Sequence, residues 1–166
     1  MIDTQGRLVE TTAMAPSGTM IAVAGENGFL QLRATDDGRD LGVRFATDEL
    51  NTIPLTPHFT SVAFSPDGRY LAAGDANGQI FIWEVNTGTE LTMLKTSREV
   101  IKQVTFTRSG EFLVTASHRE ILIWSWTEER IVRRLSEDIS GGPFWAESVY
   151  IPDYERVMVI STYHDV

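Results

Sequence analysis

Residues 62–83 hold three apolar runs separated by two tight turns: Val62-Ala63-Phe64-Ser65-Pro66-Asp67-Gly68, then Tyr70-Leu71-Ala72-Ala73, then Asn77-Gly78 leading into Gln79-Ile80-Phe81-Ile82-Trp83. Pro66 presets φ at the first corner of a β-turn, and Asp67 and Gly68 tolerate the left-handed angles that close it. Asn77-Gly78 is a stronger hairpin signal, because a type I′ turn needs positive φ at both corners. The run ending at Trp83 is rich in β-branched and aromatic residues, as in a mostly buried strand. Asn86-Thr87-Gly88 breaks the pattern and leads to a fourth predicted strand, Glu90-Leu91-Thr92-Met93-Leu94.

The same order recurs on either side. Thr12-Ala13-Met14-Ala15-Pro16-Ser17-Gly18 and Val104-Thr105-Phe106-Thr107-Arg108-Ser109-Gly110 lie over Val62–Gly68, so the marker glycines stand 50 and 42 residues apart. Each marker precedes an apolar run: Met20-Ile21-Ala22-Val23-Ala24 in the first case and Phe112-Leu113-Val114-Thr115-Ala116 in the last. Asn27-Gly28 supplies the second turn of the first unit, and Ile121-Leu122-Ile123-Trp124 the third strand of the third. Four short strands in about 40 to 45 residues is the period of a propeller blade. The eight extra residues of the first interval fall in a loop, where Pro54 and Pro57 oppose a continuing ladder. The reading is all-β, with units at 8–46, 59–95, 100–136 and a truncated 144–166, and an inserted loop at 47–58.

The Ser65-Pro66-Asp67-Gly68 turn and the Ile80-Phe81-Ile82-Trp83 strand resemble the WD-repeat β-propeller family, and Trp124 repeats the tryptophan. The resemblance implies four-stranded antiparallel blades in an incomplete ring. Unit one departs from it with Arg33 at the tryptophan position. Glu84 and Ser125 replace the aspartate that follows the tryptophan, and Asn77 stands where the buried turn aspartate is expected. A fourth unit begins at Phe144-Trp145-Ala146, turns at Pro152-Asp153 and continues through Val157–Ser161, which places His164 opposite Gly28. A half-ring exposes two apolar edges, so the expectation is a fragment of a longer protein or a homodimer that completes the ring.

Composition narrows the partners. With 14 basic and 23 acidic side chains the net charge is −9, which disfavours nucleic acid and anionic membranes as partners. No run of 18 apolar residues and no leader pattern is present, so a cytoplasmic protein is expected. The chain has no cysteine, which removes disulfides and thiolate chemistry.

Catalytic signatures are equally sparse. His58, His118 and His164 fall in three separate units and read as solvated turn residues, so neither a metal nor another cofactor is expected. Asp36-Asp37 with Asp40, and Glu128-Glu129, read as solvated turns rather than calcium sites. Ser140-Gly141-Gly142-Pro143 follows no strand-to-helix junction and reads as a loop, and no Gly-x-Ser-x-Gly elbow is present. Trp83 and Trp124 share a repeat position and should pack between blades, whereas Trp126 and Trp145 break that register and are the candidates for exposed contacts.

The expected function is therefore a non-catalytic protein-interaction scaffold or sensor module. Its rivals are a propeller that holds a small ligand or gates the substrate of an attached enzyme domain, and a plain structural spacer. By the family resemblance, the turns between second and third strands form the partner face: Glu26 and Asn27, Asp75 and Asn77, His118 and Arg119, Tyr163 and His164. The overall acidity points to a partner with a basic surface.

Overall fold

The computed structural model describes residues 8–45, 56–96 and 99–135, together with the backbone of two later strands, 146–150 and 158–161. The strands are β1 (Val9–Met14), β2 (Met20–Gly25), β3 (Leu30–Ala34), β4 (Phe59–Phe64), β5 (Tyr70–Asp75), β6 (Gln79–Glu84) and β7 (Glu90–Lys95). They are followed by β8 (Gln103–Phe106), β9 (Phe112–Ala116), β10 (Ile121–Ser125), β11 (Arg130–Leu135), β12 (Ala146–Tyr150) and β13 (Met158–Ser161). No helix occurs among the described residues, and hence none long and apolar enough to cross a membrane.

The strands form sheets in the orders β1-β2-β3, β4-β5-β6-β7, β8-β9-β10-β11 and β12-β13, with every pair antiparallel. β1 packs on β4, β4 on β8, and β8 on β12, so the first strand of each sheet meets the first strand of the next. This is the radial order of propeller blades, with the ring not closed among the described residues. The first sheet differs from the expected four strands: among the described residues, the ladder continues beyond β3 as an isolated Arg33–Asp40 bridge, with the Leu41 N–H bonded to the Leu32 carbonyl at 2.9 Å and the Ala34 N–H to the Arg39 carbonyl at 3.0 Å. The chain then leaves toward the second sheet, where Phe45 meets the Trp83 ring edge-on at 5.6 Å between centroids.

Strand β6 shows why its sequence is apolar throughout rather than alternating. Phe81 and Trp83 enter the core shared with the first sheet, beside Leu32, Phe59 and Leu71. Ile80 and Ile82 enter the core shared with the third sheet, beside Ile101, Leu113 and Leu122. A blade between two neighbours has no solvent face, so both sides of its central strands are apolar. Trp83 pairs across the ladder with Leu71 and Trp124 with Leu113, and each packs toward the preceding blade. Ile21 pairs with Arg33 in the same place, and Arg33 is folded inward, donating to the Gln31 side chain at 2.7 Å and the Gly38 carbonyl at 3.2 Å.

Trp126 corrects the sequence reading. It is buried, its ring lies 4.9 Å from that of Tyr70, and its indole N–H donates to the Gly110 carbonyl at 2.9 Å. Two residues past Trp124, it holds the place that the buried Val85 holds two residues past Trp83, so it keeps the repeat register. Trp145 lies outside the described residues.

The turns also refine the reading. In the Ser65–Gly68 turn only Gly68 has positive φ, at 71°; Asp67 instead accepts the Ser65 hydroxyl at 2.6 Å and the Arg69 N–H at 3.0 Å. The hydrogen bond from Ser65 holds the Asp67 carboxyl below its ordinary pKa, with Arg69 adding to the effect.

Candidate functional site

The turns that link second to third strands lie on one face, and each is built differently because the last residue of its second strand differs. In the first sheet that residue is Gly25, which offers no side-chain acceptor, and Asn27 and Gly28 take positive φ of 54° and 67° with the Phe29 N–H bonded to the Glu26 carbonyl. This is the expected type I′ arrangement. In the second sheet the residue is Asp75, fully buried, whose carboxylate accepts the Asn77 and Gln79 N–H groups at 2.8 Å each. Only Gly78 has positive φ there, so the corners are Ala76 and Asn77 rather than Asn77 and Gly78. Asp75, not Asn77, is the buried turn aspartate. In the third sheet Ser117, the residue just after β9, stands at the equivalent position and accepts the Arg119 and Glu120 N–H groups at 3.3 Å.

The expected binding residues divide accordingly. Asn27, Asn77 and Arg119 are exposed, and Glu26 and His118 are half-buried. The buried Asp75 carboxylate is consumed in holding its turn, which removes it from the accessible set. Tyr163 and His164 lie outside the described residues. Backbone bonds lace the turns to the strand-entry segments: Gly28 N–H to the Pro57 carbonyl at 2.6 Å, Ala76 N–H to that of His58 at 2.9 Å, and Ile101 N–H to that of Asp75 at 3.0 Å. The turns of adjacent blades are thereby fixed relative to one another.

The structure adds residues that turn chemistry alone does not reveal. Glu99 pairs with Arg119 at 3.1 Å and accepts the Ser117 hydroxyl at 3.0 Å. The buried Glu120 pairs with Arg134 of β11 at 2.8 Å. His58, expected as a solvated rim residue, is half-buried with Nε2 2.9 Å from Glu10 Oε1, and Glu26 completes a group of three. The sequence signal was weak, because Glu10, Glu26 and His58 are separated by a strand and by the interblade loop.

The acidic turns are locally neutralised. Arg39 approaches Asp37 at 2.9 Å, Arg44 approaches Asp40 at 3.3 Å, and Arg130 approaches Glu128 at 2.6 Å. The Arg39 backbone N–H and guanidinium hold the Asp37 carboxyl below its ordinary pKa, and Arg130 does the same for Glu128. On the opposite face, the second and third sheets border a depression of about 480 Å³ lined by Ser65, Asp67, Arg69, Tyr70, Arg108 and Glu111 among others. Its charged lining differs from the mostly apolar wall of a small-molecule pocket.

Comparison with known proteins agrees with this architecture. Residues 2–149 match the β-propeller family described as nucleolar protein 10-like, N-terminal domain. The chain is 30% identical over 104 residues to the Set1 complex component swd1 of Schizosaccharomyces pombe, covering 62% of this chain and 25% of that protein. It is 29% identical over 89 residues to pre-mRNA-processing factor 19 of the same organism, covering 52% of this chain and 18% of that protein. It is also 30% identical over 91 residues to the small ribosomal subunit protein RACK1 of Caenorhabditis elegans, covering 55% of this chain and 28% of the relative. The chain thus spans about a quarter or less of two of these relatives and 28% of the third. Among solved structures, U3-55K superposes with a TM-score of 0.71 at 24% identity, covering 82% of this chain and 41% of that one. The RRP9 WD40 repeats give 0.71 at 23%, covering 83% and 41%, and at these identities the likeness shows the fold alone. With its interblade tryptophans, its radial sheet order and a family match over most of its length, the chain belongs to the WD-repeat β-propellers, in the nucleolar protein 10-like N-terminal domain family.

Proposed function

We propose that this chain is a non-catalytic scaffold that docks a protein partner on the face formed by Glu26, Asn27, Asn77, His118 and Arg119. The observation that carries the reading is the lacing of the first two turns to the Pro57, His58 and Ile101 segments, with Arg119 of the third turn paired to Glu99, which presents the exposed Asn27, Asn77 and Arg119 from neighbouring blades on a fixed frame. A preorganised surface loses little entropy on binding. Relatives named as a Set1 complex component and a small ribosomal subunit protein accord with work inside assemblies. The net charge of −9 favours a partner with a basic surface and disfavours nucleic acid. The unit boundaries, a cytoplasmic location, and completion of the ring by a second copy or by further blades belong to the same proposal. A solution mass near twice 18.5 kDa supports the second copy.

The test is quantitative capture of partners by the wild-type chain, by a triple variant Asn27→Arg, Asn77→Arg, Arg119→Glu, and by an opposite-face variant Arg69→Glu, Arg108→Glu. Loss of a partner with the triple variant and its retention with the double variant supports the assignment. The reverse pattern moves the site to the opposite depression and overturns it.

A further inference from the structure

We infer that Glu10, Glu26 and His58 form a zinc-type divalent cation site that ties the first blade to the second. The three residues come from β1, from the turn after β2, and from the residue just before β4, so the group spans the seam between two blades. One donor atom from each lies within 4.8 Å of the other two. His58 Nε2 is buried and, despite its 2.9 Å approach to Glu10 Oε1, has no hydrogen-bond partner of acceptable geometry among the described residues. A buried imidazole nitrogen left in this way costs free energy unless something occupies its lone pair.

The donor set selects the ion. An imidazole with two carboxylates suits Zn²⁺, whereas calcium and magnesium prefer oxygen alone. Tetrahedral bonds of about 2.0–2.2 Å put neighbouring ligand atoms roughly 3.3 Å apart. Donors within 4.8 Å of one another must close by about 1.5 Å to reach that separation, and the two glutamates have the flexible side chains to do so. That backbone is already held, because Gly28 N–H bonds to the Pro57 carbonyl, Ala76 N–H bonds to the His58 carbonyl, and Val9 pairs with Gly25. Three protein ligands leave a fourth position for water on a tetrahedral ion. The inference does not depend on the docking reading, since an interblade clamp serves the fold whether or not this face binds a partner.

Titration calorimetry of the full, untagged chain with ZnCl₂ tests it, with CaCl₂ as the contrast. The expected result is one zinc per chain, no comparable calcium signal, and roughly tenfold or greater weakening in Glu26→Gln and in His58→Gln. Glu128→Gln, in an exposed turn of the third sheet, should leave the affinity unchanged. Absence of zinc binding, or binding unaltered by both Glu26→Gln and His58→Gln, overturns the assignment. Should His58→Gln fail to fold, Glu26→Gln and the visible absorption of the Co²⁺-loaded chain decide. Visible bands typical of tetrahedral coordination that collapse in Glu26→Gln support the site, and a spectrum identical in both proteins refutes it.

Discussion

Replacing Asp75 by alanine should unfold the second blade more readily than any exposed change on the same face. The carboxylate is fully buried and accepts two backbone N–H bonds of 2.8 Å, from Asn77 and Gln79. A hydrogen bond to a charged acceptor contributes about 1.5–3 kcal/mol, so the two together bound the loss at about 3–6 kcal/mol. Two effects reduce it. Truncation also removes the desolvation cost of a buried charge, and Asn77 lies at the surface where water can replace its partner. The expected net loss is about 2–4 kcal/mol, against a stability of about 5–15 kcal/mol for an ordinary domain. Asp75→Asn keeps a neutral acceptor and should lose about half as much. Urea denaturation followed by tryptophan fluorescence measures both, since Trp83, Trp124 and Trp126 are buried and report unfolding. Asn77→Ala, which gives up only a 3.4 Å side-chain contact, should stay within about 0.5 kcal/mol of wild type. A loss below about 0.5 kcal/mol for Asp75→Ala at an unchanged m-value would refute the assignment of Asp75 as the turn's anchor.

Two further outcomes follow from the geometry. Gly74→Ala places a methyl group 2.6 Å from Ile101 Cβ and in closer conflict with Ile101 Cγ2, at a buried blade-to-blade contact. The expected loss is about 1–3 kcal/mol, and a double-mutant cycle with Ile101→Ala should show a combined loss smaller than the sum. The lowered pKa of Asp67 means that its charged form is favoured by folding. Its stabilisation is present above the ordinary aspartate pKa and disappears as pH falls through the lower folded value. Wild type and Asp67→Asn should therefore differ in thermal midpoint at neutral pH and converge toward pH 2, and a constant difference across that range would argue against it.

Much of the architecture was legible in order along the chain. The recurrence of Gly18, Gly68 and Gly110, each followed by an apolar run, located the hairpins, because turn chemistry and strand periodicity are local properties. The shared position of Trp83 and Trp124 identified the interblade layer for the same reason. Local reasoning faltered where the outcome depended on what a side chain met in space. Asn27-Gly28 and Asn77-Gly78 look alike in sequence, yet they close differently because Gly25 offers no acceptor and Asp75 offers two oxygens. Trp126 seemed out of register because it does not share the repeat position of Trp83 and Trp124, and its burial against Tyr70 exists only once the second and third blades are side by side.

The candidate face shows the same division. Its turns could be predicted from repeat position, but which side chains remain accessible could not: Asp75 was withdrawn by the hydrogen bonds it accepts, while Asn27, Asn77 and Arg119 stayed exposed. The meeting of Glu10, Glu26 and His58 left only a weak sequence signal, since His58 stands 32 positions after Glu26, beyond β3 and the interblade loop. The amino-acid sequence by itself determined the strands, the turns and the blade period, through patterns read over a few residues. Only the tertiary structure decided which charged groups face one another across the seam between blades, because that depends on how independent sheets pack radially and not on any spacing within one of them.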